Sequence, residues 1–198
     1  MCGIVGTYST NWSSIDREGL ENSLILLKNR GPNDKGLDIF DLKKGSLGFG
    51  HTRLSIIDLS EAGHQPMSDQ EGRFNIIFNG EIYNYRELRE ELIQNGIIFF
   101  TDSDTEVLLK SWIFWGEECI NRLTGMFAFA IFDSHENNLT LVRDAFGIKP
   151  LFYSSSISQF SFASEISALS NLIEENSEID HESAYAYLIH GLYDSSET

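Results

Sequence analysis

The feature that most constrains this chain is the rhythm of its apolar runs. Short β-branched and aromatic segments recur along it, separated by turns of a few residues. Residues 2–9 read as a buried strand. Residues 37–42 and 46–57 read as two more, with Lys43-Lys44-Gly45 as their hairpin turn, and residues 73–78 as a strand closed by Asn79-Gly80. Residues 126–132 and 139–143 form a hairpin, and 152–153 with 159–163 a further pair. Connections this short join antiparallel neighbours, because a parallel pair needs a crossover of roughly a dozen residues or more. Helical spacing lies between these runs. Leu20, Leu24 and Leu27 predict a helix over 18–28. Leu88, Leu92 and Ile93 predict an amphipathic helix over 84–95, ended by Gly96. Ser103-Asp104-Thr105-Glu106 has the form of a capping box, opening a helix that runs to about Gly116. Short helices are expected over 164–172 and 182–188, a polar loop over 61–72, and a linker at Glu174-Glu175-Asn176. Two antiparallel sheets with helices packed outside them would bury this pattern, an α+β architecture.

Composition removes several function classes. At 198 residues the chain is long enough for one domain with a real core. Its net charge of -16 repels nucleic acid, and there is no basic stripe to grip phosphates. No apolar run approaches a membrane span, and no signal peptide opens the chain, so a cytoplasmic protein without a membrane partner is expected. The two cysteines, Cys2 and Cys119, make no disulfide framework. No Cys or His cluster has zinc spacing, so no metal site is expected. The five histidines are scattered and read as structural or solvated, and Cys119 reads as core.

Cys2 carries the sharpest chemical possibility. Removal of Met1, which a small second residue favours, would put a thiol and a free α-amine on one residue. That is a nucleophile with its own base. By position alone the residue also fits a small hydrophobe opening a buried strand. Asn79-Gly80 is by itself a type I′ turn signal. It is also a candidate oxyanion hole, with the Asn79 amide and the Gly80 N–H as donors. Arg53 is either a surface residue at a strand end or a fork for a substrate carboxylate. Asp104, with Glu81 beside it, is either a carboxylate at a helix N-terminus or a partner for a substrate ammonium. An anion-binding Arg with a cation-binding carboxylate would define an α-amino acid site. Arg143-Asp144 with Gly147-Ile148-Lys149-Pro150 reads as a strand running into a turn with a structural salt bridge.

Taken jointly and in order, these segments resemble the glutamine-hydrolysing domain of asparagine synthetases, a class II glutamine amidotransferase. The resemblance rests on Cys2-Gly3-Ile4-Val5-Gly6, Arg30-Gly31-Pro32, residues 53–60, Gly63-His64-Gln65-Pro66-Met67 and residues 78–85. It continues through residues 101–106, Arg143-Asp144, Gly147-Ile148-Lys149-Pro150-Leu151, residues 162–166 and Ala168-Leu169, spanning nearly the whole chain. It implies an N-terminal-nucleophile hydrolase fold, an αββα sandwich with two antiparallel sheets between helical layers. It implies Cys2 as nucleophile, with Asn79 and Gly80 as oxyanion hole. Arg53, Glu81 and Asp104 would hold the α-groups of L-glutamine, and the backbone of Leu54, Ser55, Ile56 and Ile57 would line the same pocket.

The chain departs from the family pattern at Asn33, where the family has Asp directly after Arg-Gly-Pro; here Asp34 follows. It also lacks the Ser-Gly-Gly phosphate-cradling motif of the synthetase domain. A single domain over 1–198, excised from a longer chain, is therefore expected. The lead-in through Asp194 points to a C-terminal ATP-dependent synthetase partner. ATP and Mg belong to that domain, and no cofactor is expected in this one. A homodimer is a candidate assembly. The competing readings are a silent docking domain and a terminal-nucleophile hydrolase for another amide.

Overall fold

The first strand carries the logic of the fold. In β1 (Gly3–Ser9), Ile4 packs between two sheets while Val5, its sequence neighbour, packs under helices. A strand turns successive side chains to opposite faces, so one apolar run serves two cores. The computed structural model describes residues 1–10, 15–42, 45–173 and 180–191. Lys43 and Lys44 of the expected turn, and the expected linker at Glu174-Glu175-Asn176, lie outside the described residues.

Helix α1 (Arg17–Leu26) follows β1, then β2 (Asp34–Asp41) and β3 (Ser46–Arg53). Next come β4 (Met67–Ser68), β5 (Phe74–Ile82), α2 (Tyr85–Gln94) and α3 (Asp104–Trp115). Strands β6 (Gly125–Asp133), β7 (Asn138–Arg143), β8 (Phe152–Ser155) and β9 (Gln159–Ala163) lead to α4 (Ile166–Ser170) and α5 (His181–His190). The strands form two wholly antiparallel sheets, ordered β2-β3-β1-β9-β8 and β4-β5-β6-β7.

Three apolar layers hold the sandwich. Leu20, Leu24, Ala168 and Leu169 of α1 and α4 cover the outer face of the five-stranded sheet. Leu88, Leu92, Val107, Leu108 and Trp112 of α2 and α3 cover the outer face of the four-stranded sheet. Between the sheets lie Ile4, Leu47, Phe49, Ile77, Ala128, Ala130, Phe132 and Phe162, all buried. Burying one such large side chain stabilises by roughly 1.5–3 kcal/mol, so this middle layer fixes the approach of the two sheets. Helices, sheet, sheet, helices is the αββα order. Cys119 is fully buried in the helix-side layer, where burial pushes its thiol pKa up to about 12, and it is core as expected.

Five expectations need correction. The strand expected over 46–57 stops at Arg53, because the backbone from Leu54 turns away toward Cys2 and Asn33. The loop over 61–72 contains a 3-10 turn at Glu61–Gly63 and the two-residue β4. Asn79-Gly80 is not a turn: β5 runs through it to Ile82, with Asn79 opposite Ala128 and Gly80 opposite Phe127. The pairing with β6 overrides the local turn preference. Arg143 and Asp144 do not pair with each other. Arg143 donates to the Lys149 and Gly147 carbonyls, at 2.9 and 2.8 Å. Asp144 accepts from the N–H groups of Phe127, Phe146, Ile148 and Lys149. Burial opposes its charge, but those donors hold its pKa below the ordinary value. The capping box is also only half formed: Ser103 accepts from the Glu106 N–H, while the Glu106 carboxylate turns to the Phe100 and Thr101 N–H groups.

Candidate active site

Side-chain parity brings the site together. Arg53 and His51 share the face of β3 that carries Leu47 and Phe49 between the sheets. Asn79 shares the face of Ile77 in β5, and Cys2 lies two residues before Ile4. Cys2 adjoins the Gly3–Thr52 pair, so it sits beside Arg53. Cys2, Arg53 and Asn79, distant in sequence, thus emerge at one end of the inter-sheet layer. They line a cavity of about 160 Å³. Leu54, Ser55, Ile56, Ile57, Gly80, Glu81 and Asp104 line the same cavity, so every candidate residue meets there.

The Cys2 thiol is half-buried against the start of the 54–57 loop. The Leu54 N–H donates to Sγ at 3.4 Å, and Sγ lies 3.8 Å from the Leu54 carbonyl. Burial pushes the thiol pKa up; the Leu54 N–H and the positive chain terminus oppose that. Asp104 adds to the rise and Arg53 opposes it. Met1 also lines the cavity and is 54% exposed, so the chain terminus lies at the mouth of the site.

Asn79 is 1% exposed, yet neither its Oδ1 nor its Nδ2 has a hydrogen-bond partner among the described residues. A buried amide left unsatisfied costs roughly 1–3 kcal/mol, and such exceptions mark functional groups. The Gly80 N–H is oriented by its register. Gly80 faces Phe127, whose N–H and C=O are both engaged by Asp144. The pair is therefore of the non-hydrogen-bonded kind, and the Gly80 N–H points off the free edge of β5. On either side along that edge, the Phe78 N–H donates to Gln65 Oε1 at 2.6 Å and the Ile82 N–H to Asp104 Oδ2 at 3.1 Å. Glycine is needed here for close approach: an added Cβ would lie 2.4 Å from the Met126 carbonyl oxygen.

Arg53 is 7% exposed, and its fork is set by the loop it faces. Nη1 donates to the Ser60 carbonyl at 2.6 Å and Nη2 to the Asp58 carbonyl at 2.5 Å. Gly63 leaves room for the guanidinium, since a Cβ there would lie 2.0 Å from Nη2. Asp104 opens α3 from a buried position, and its pKa is raised to about 6. Burial is the main cause, the Glu81 charge adds to it, and the Ile82 N–H opposes it.

Several residues around the site were not singled out from sequence for a role there. Gln65 bridges Phe78 N–H and Thr105 Oγ1, tying the 61–72 loop to β5 and α3. His51 reaches across the sheets to the Phe78 carbonyl at 3.1 Å, and burial lowers its pKa to about 4, so it is a neutral structural strut. Arg30 donates to the Cys2 carbonyl, and Lys149 lines the cavity. Asn33, the departure from the family pattern, accepts from the Ser55 N–H at 3.1 Å and so steadies the cavity loop. Each of these lay in or beside a quoted motif, but only tertiary placement gives it a job. Among the described residues, no group of three or more His, Cys, Asp or Glu is placed to hold a metal, and no helix is long and apolar enough to cross a membrane.

A cysteine at the second position of the chain, beside an orphaned buried amide, suits acyl transfer, and the family match agrees. Residues 1–198 match the glutamine amidotransferase domain family across their whole length. The chain belongs to that family. This glutamine amidotransferase domain is 44% identical to asparagine synthetase [glutamine-hydrolyzing] 1 of Bacillus subtilis over 192 residues, 95% of this chain and 29% of that protein. It is 38% identical to a putative asparagine synthetase [glutamine-hydrolyzing] 2 of Methanocaldococcus jannaschii over 190 residues, 89% of this chain and 36% of that protein. The domain thus spans about a third of the length of these curated relatives. The solved glutamine phosphoribosylpyrophosphate amidotransferase from B. subtilis, complexed with ADP and GMP, shares the fold. Its TM-score is 0.71 at 22% identity, over 86% of this chain and 43% of that one. The likeness to that structure is one of fold.

Proposed function

We propose that the domain hydrolyses L-glutamine to L-glutamate and ammonia through a γ-glutamyl thioester on Cys2. Once Met1 has been removed, the Cys2 α-amine takes the thiol proton. The two reference pKa values, roughly 8 and 8.5, are matched closely enough for transfer near neutral pH. The freed ammonium then sits on the same residue as the thiolate and counters the rise in thiol pKa that burial causes. The thiolate adds to the side-chain carboxamide carbon, and the carbonyl π pair moves onto oxygen. Asn79 Nδ2 and the Gly80 N–H donate to that oxyanion. The ammonium returns its proton to the leaving nitrogen as the C–N bond breaks, releasing ammonia. Water, deprotonated by the amine, then cleaves the thioester to glutamate and restores the thiol. Arg53 takes the substrate α-carboxylate, and Asp104 with Glu81 takes the α-ammonium.

The observation that carries this reading is the unpartnered Asn79 amide in the cavity that Cys2 lines. Its test is glutaminase turnover of Cys2→Ala. Turnover should vanish while glutamine binding, read by titration calorimetry, persists. Turnover equal to that of the parent chain would sink the assignment.

The names of these relatives support an ammonia supply to an asparagine-synthetase-type amidation. Their greater length supports a C-terminal synthetase domain as the partner in the full-length protein, with aspartate or another carboxylate as the acceptor. We assign ATP and Mg to that domain and no cofactor to this one, and place the protein in the cytoplasm.

A further inference from the structure

We propose that Lys149 is a further member of the reacting site, supplying a fixed cation to the oxygen of the scissile carboxamide; this rests on the glutaminase reading above. Lys149 is 4% exposed and lines the cavity together with Cys2 and Asn79. Lysines are almost never buried to this degree without a partner. Among the described residues, no carboxylate lies within ion-pair distance of its ammonium and no carbonyl accepts from it. The nearby Asp144 carboxylate is taken up by four backbone N–H groups, one of them that of Lys149 itself at 3.0 Å. The ammonium is also not among the sealed, unpartnered buried atoms, and the residue lines the cavity.

The register says which end of the substrate it faces. Asn79, Ala128 and Arg143 stand opposite one another across β5, β6 and β7, with their side chains on one face. Arg143 grips the Lys149 carbonyl at 2.9 Å, while Asp144 grips the Lys149 N–H. The lysine backbone is therefore pinned beside the Asn79 row. Asp104, which would hold the ammonium end, lies at the Ile82 end of β5 instead. An unpaired cation beside the orphaned Asn79 amide is a site prepared for an anion. As the thiolate adds, the π pair moves onto the carboxamide oxygen, and the negative charge appears where Asn79, Gly80 and Lys149 converge. That oxygen is kept when the thioester is hydrolysed, so it becomes one oxygen of the glutamate γ-carboxylate. The same cation then favours the product, and product inhibition becomes a second readout of it.

The experiment is steady-state glutaminase kinetics of the parent chain, Lys149→Met and Lys149→Arg, with glutamate as product inhibitor and thermal unfolding in parallel. Lys149→Met should lower kcat by about 10- to 100-fold, the range of a lost oxyanion donor or somewhat less. Its KM for glutamine should move by less than about threefold, because the α-groups are held elsewhere, and its glutamate inhibition constant should rise about tenfold. Lys149→Arg should recover part of kcat. Replacing an unpaired buried charge by a methionine of similar volume should not lower Tm. A kcat within about twofold of the parent would overturn the assignment, as would a fall in kcat that comes with a lowered Tm and no recovery in Lys149→Arg. Those outcomes leave Cys2-dependent turnover in the parent intact. Absence of that turnover would instead bring down the glutaminase reading, and the lysine assignment with it.

Discussion

Arg30 Nε donates to the Cys2 carbonyl oxygen at 2.9 Å, while Nη1 meets Glu165 Oε1 at 3.1 Å. A residue at the head of the chain is normally the first to fray. Here one guanidinium fastens it to the residue preceding α4. Arg30→Met should lower kcat by about 10- to 100-fold through misplacement of the thiol, since a small shift in a reacting group carries that penalty. It should also lower stability by about 1–3 kcal/mol, because the carbonyl loses a charge-assisted donor. Urea unfolding and glutaminase kinetics on one preparation check both effects.

Asn79 should behave in the opposite sense for stability. Its buried amide has no hydrogen-bond partner among the described residues. Asn79→Ala should therefore cost kcat about 10²–10³-fold while leaving the melting temperature unchanged or raised, since an unsatisfied polar group is removed. A variant that loses activity and stability together would point to a structural amide instead.

Asp104 sets an acid limit. Its pKa is raised to about 6, chiefly by burial, so in the free site it loses the charge needed for an ammonium as pH falls through about 6. kcat/KM for glutamine, which reports the free protein, should fall below that pH. The kcat limb should lie lower, because a bound ammonium favours the carboxylate. The stability sign is the reverse. The folded state holds this proton more tightly than the unfolded chain, so stability is lost as pH rises from about 4 to about 6. Asp104→Asn should raise neutral-pH stability by up to ~3 kcal/mol while abolishing glutamine affinity. Denaturant midpoints at pH 4 and pH 7 test the first claim and calorimetry the second.

Met1 gives a processing prediction. While it remains, the Cys2 nitrogen is an amide and cannot accept the thiol proton, and Met1 forms part of the cavity wall. Protein that retains Met1 should be inactive and should gain activity on aminopeptidase trimming. Intact mass measured beside turnover decides this, and an active Met1-bearing sample would contradict the mechanism.

Much of this molecule is legible in the order of its residues. Alternation such as Ile76, Ile77 and Phe78 separates the helix-side layer from the inter-sheet layer, because a strand presents opposite faces in turn. Leu88 and Leu92, or Leu20 and Leu24, mark the buried stripe of a helix in the same way. Ordered motifs at Cys2, Arg53, Asn79 and Asp104 announced the residues of one cavity. What local sequence could not decide was anything that depends on a partner across the sheet. Asn79-Gly80 has the chemistry of a turn, and only pairing with Ala128 and Phe127 holds it straight and aims the Gly80 N–H off the edge. Arg143 and Asp144 read as an ion pair, yet each found backbone partners that exist only once the 144–149 turn has closed. Lys149 read as part of a turn until burial beside the site left its ammonium without an ion-pair partner among the described residues. The chain by itself determined the strands, the helices and the chemistry on offer, because propensity and periodicity act within a few residues. Tertiary structure alone decided which groups lack partners, because satisfaction of a hydrogen bond or a charge is a property of neighbours distant in sequence.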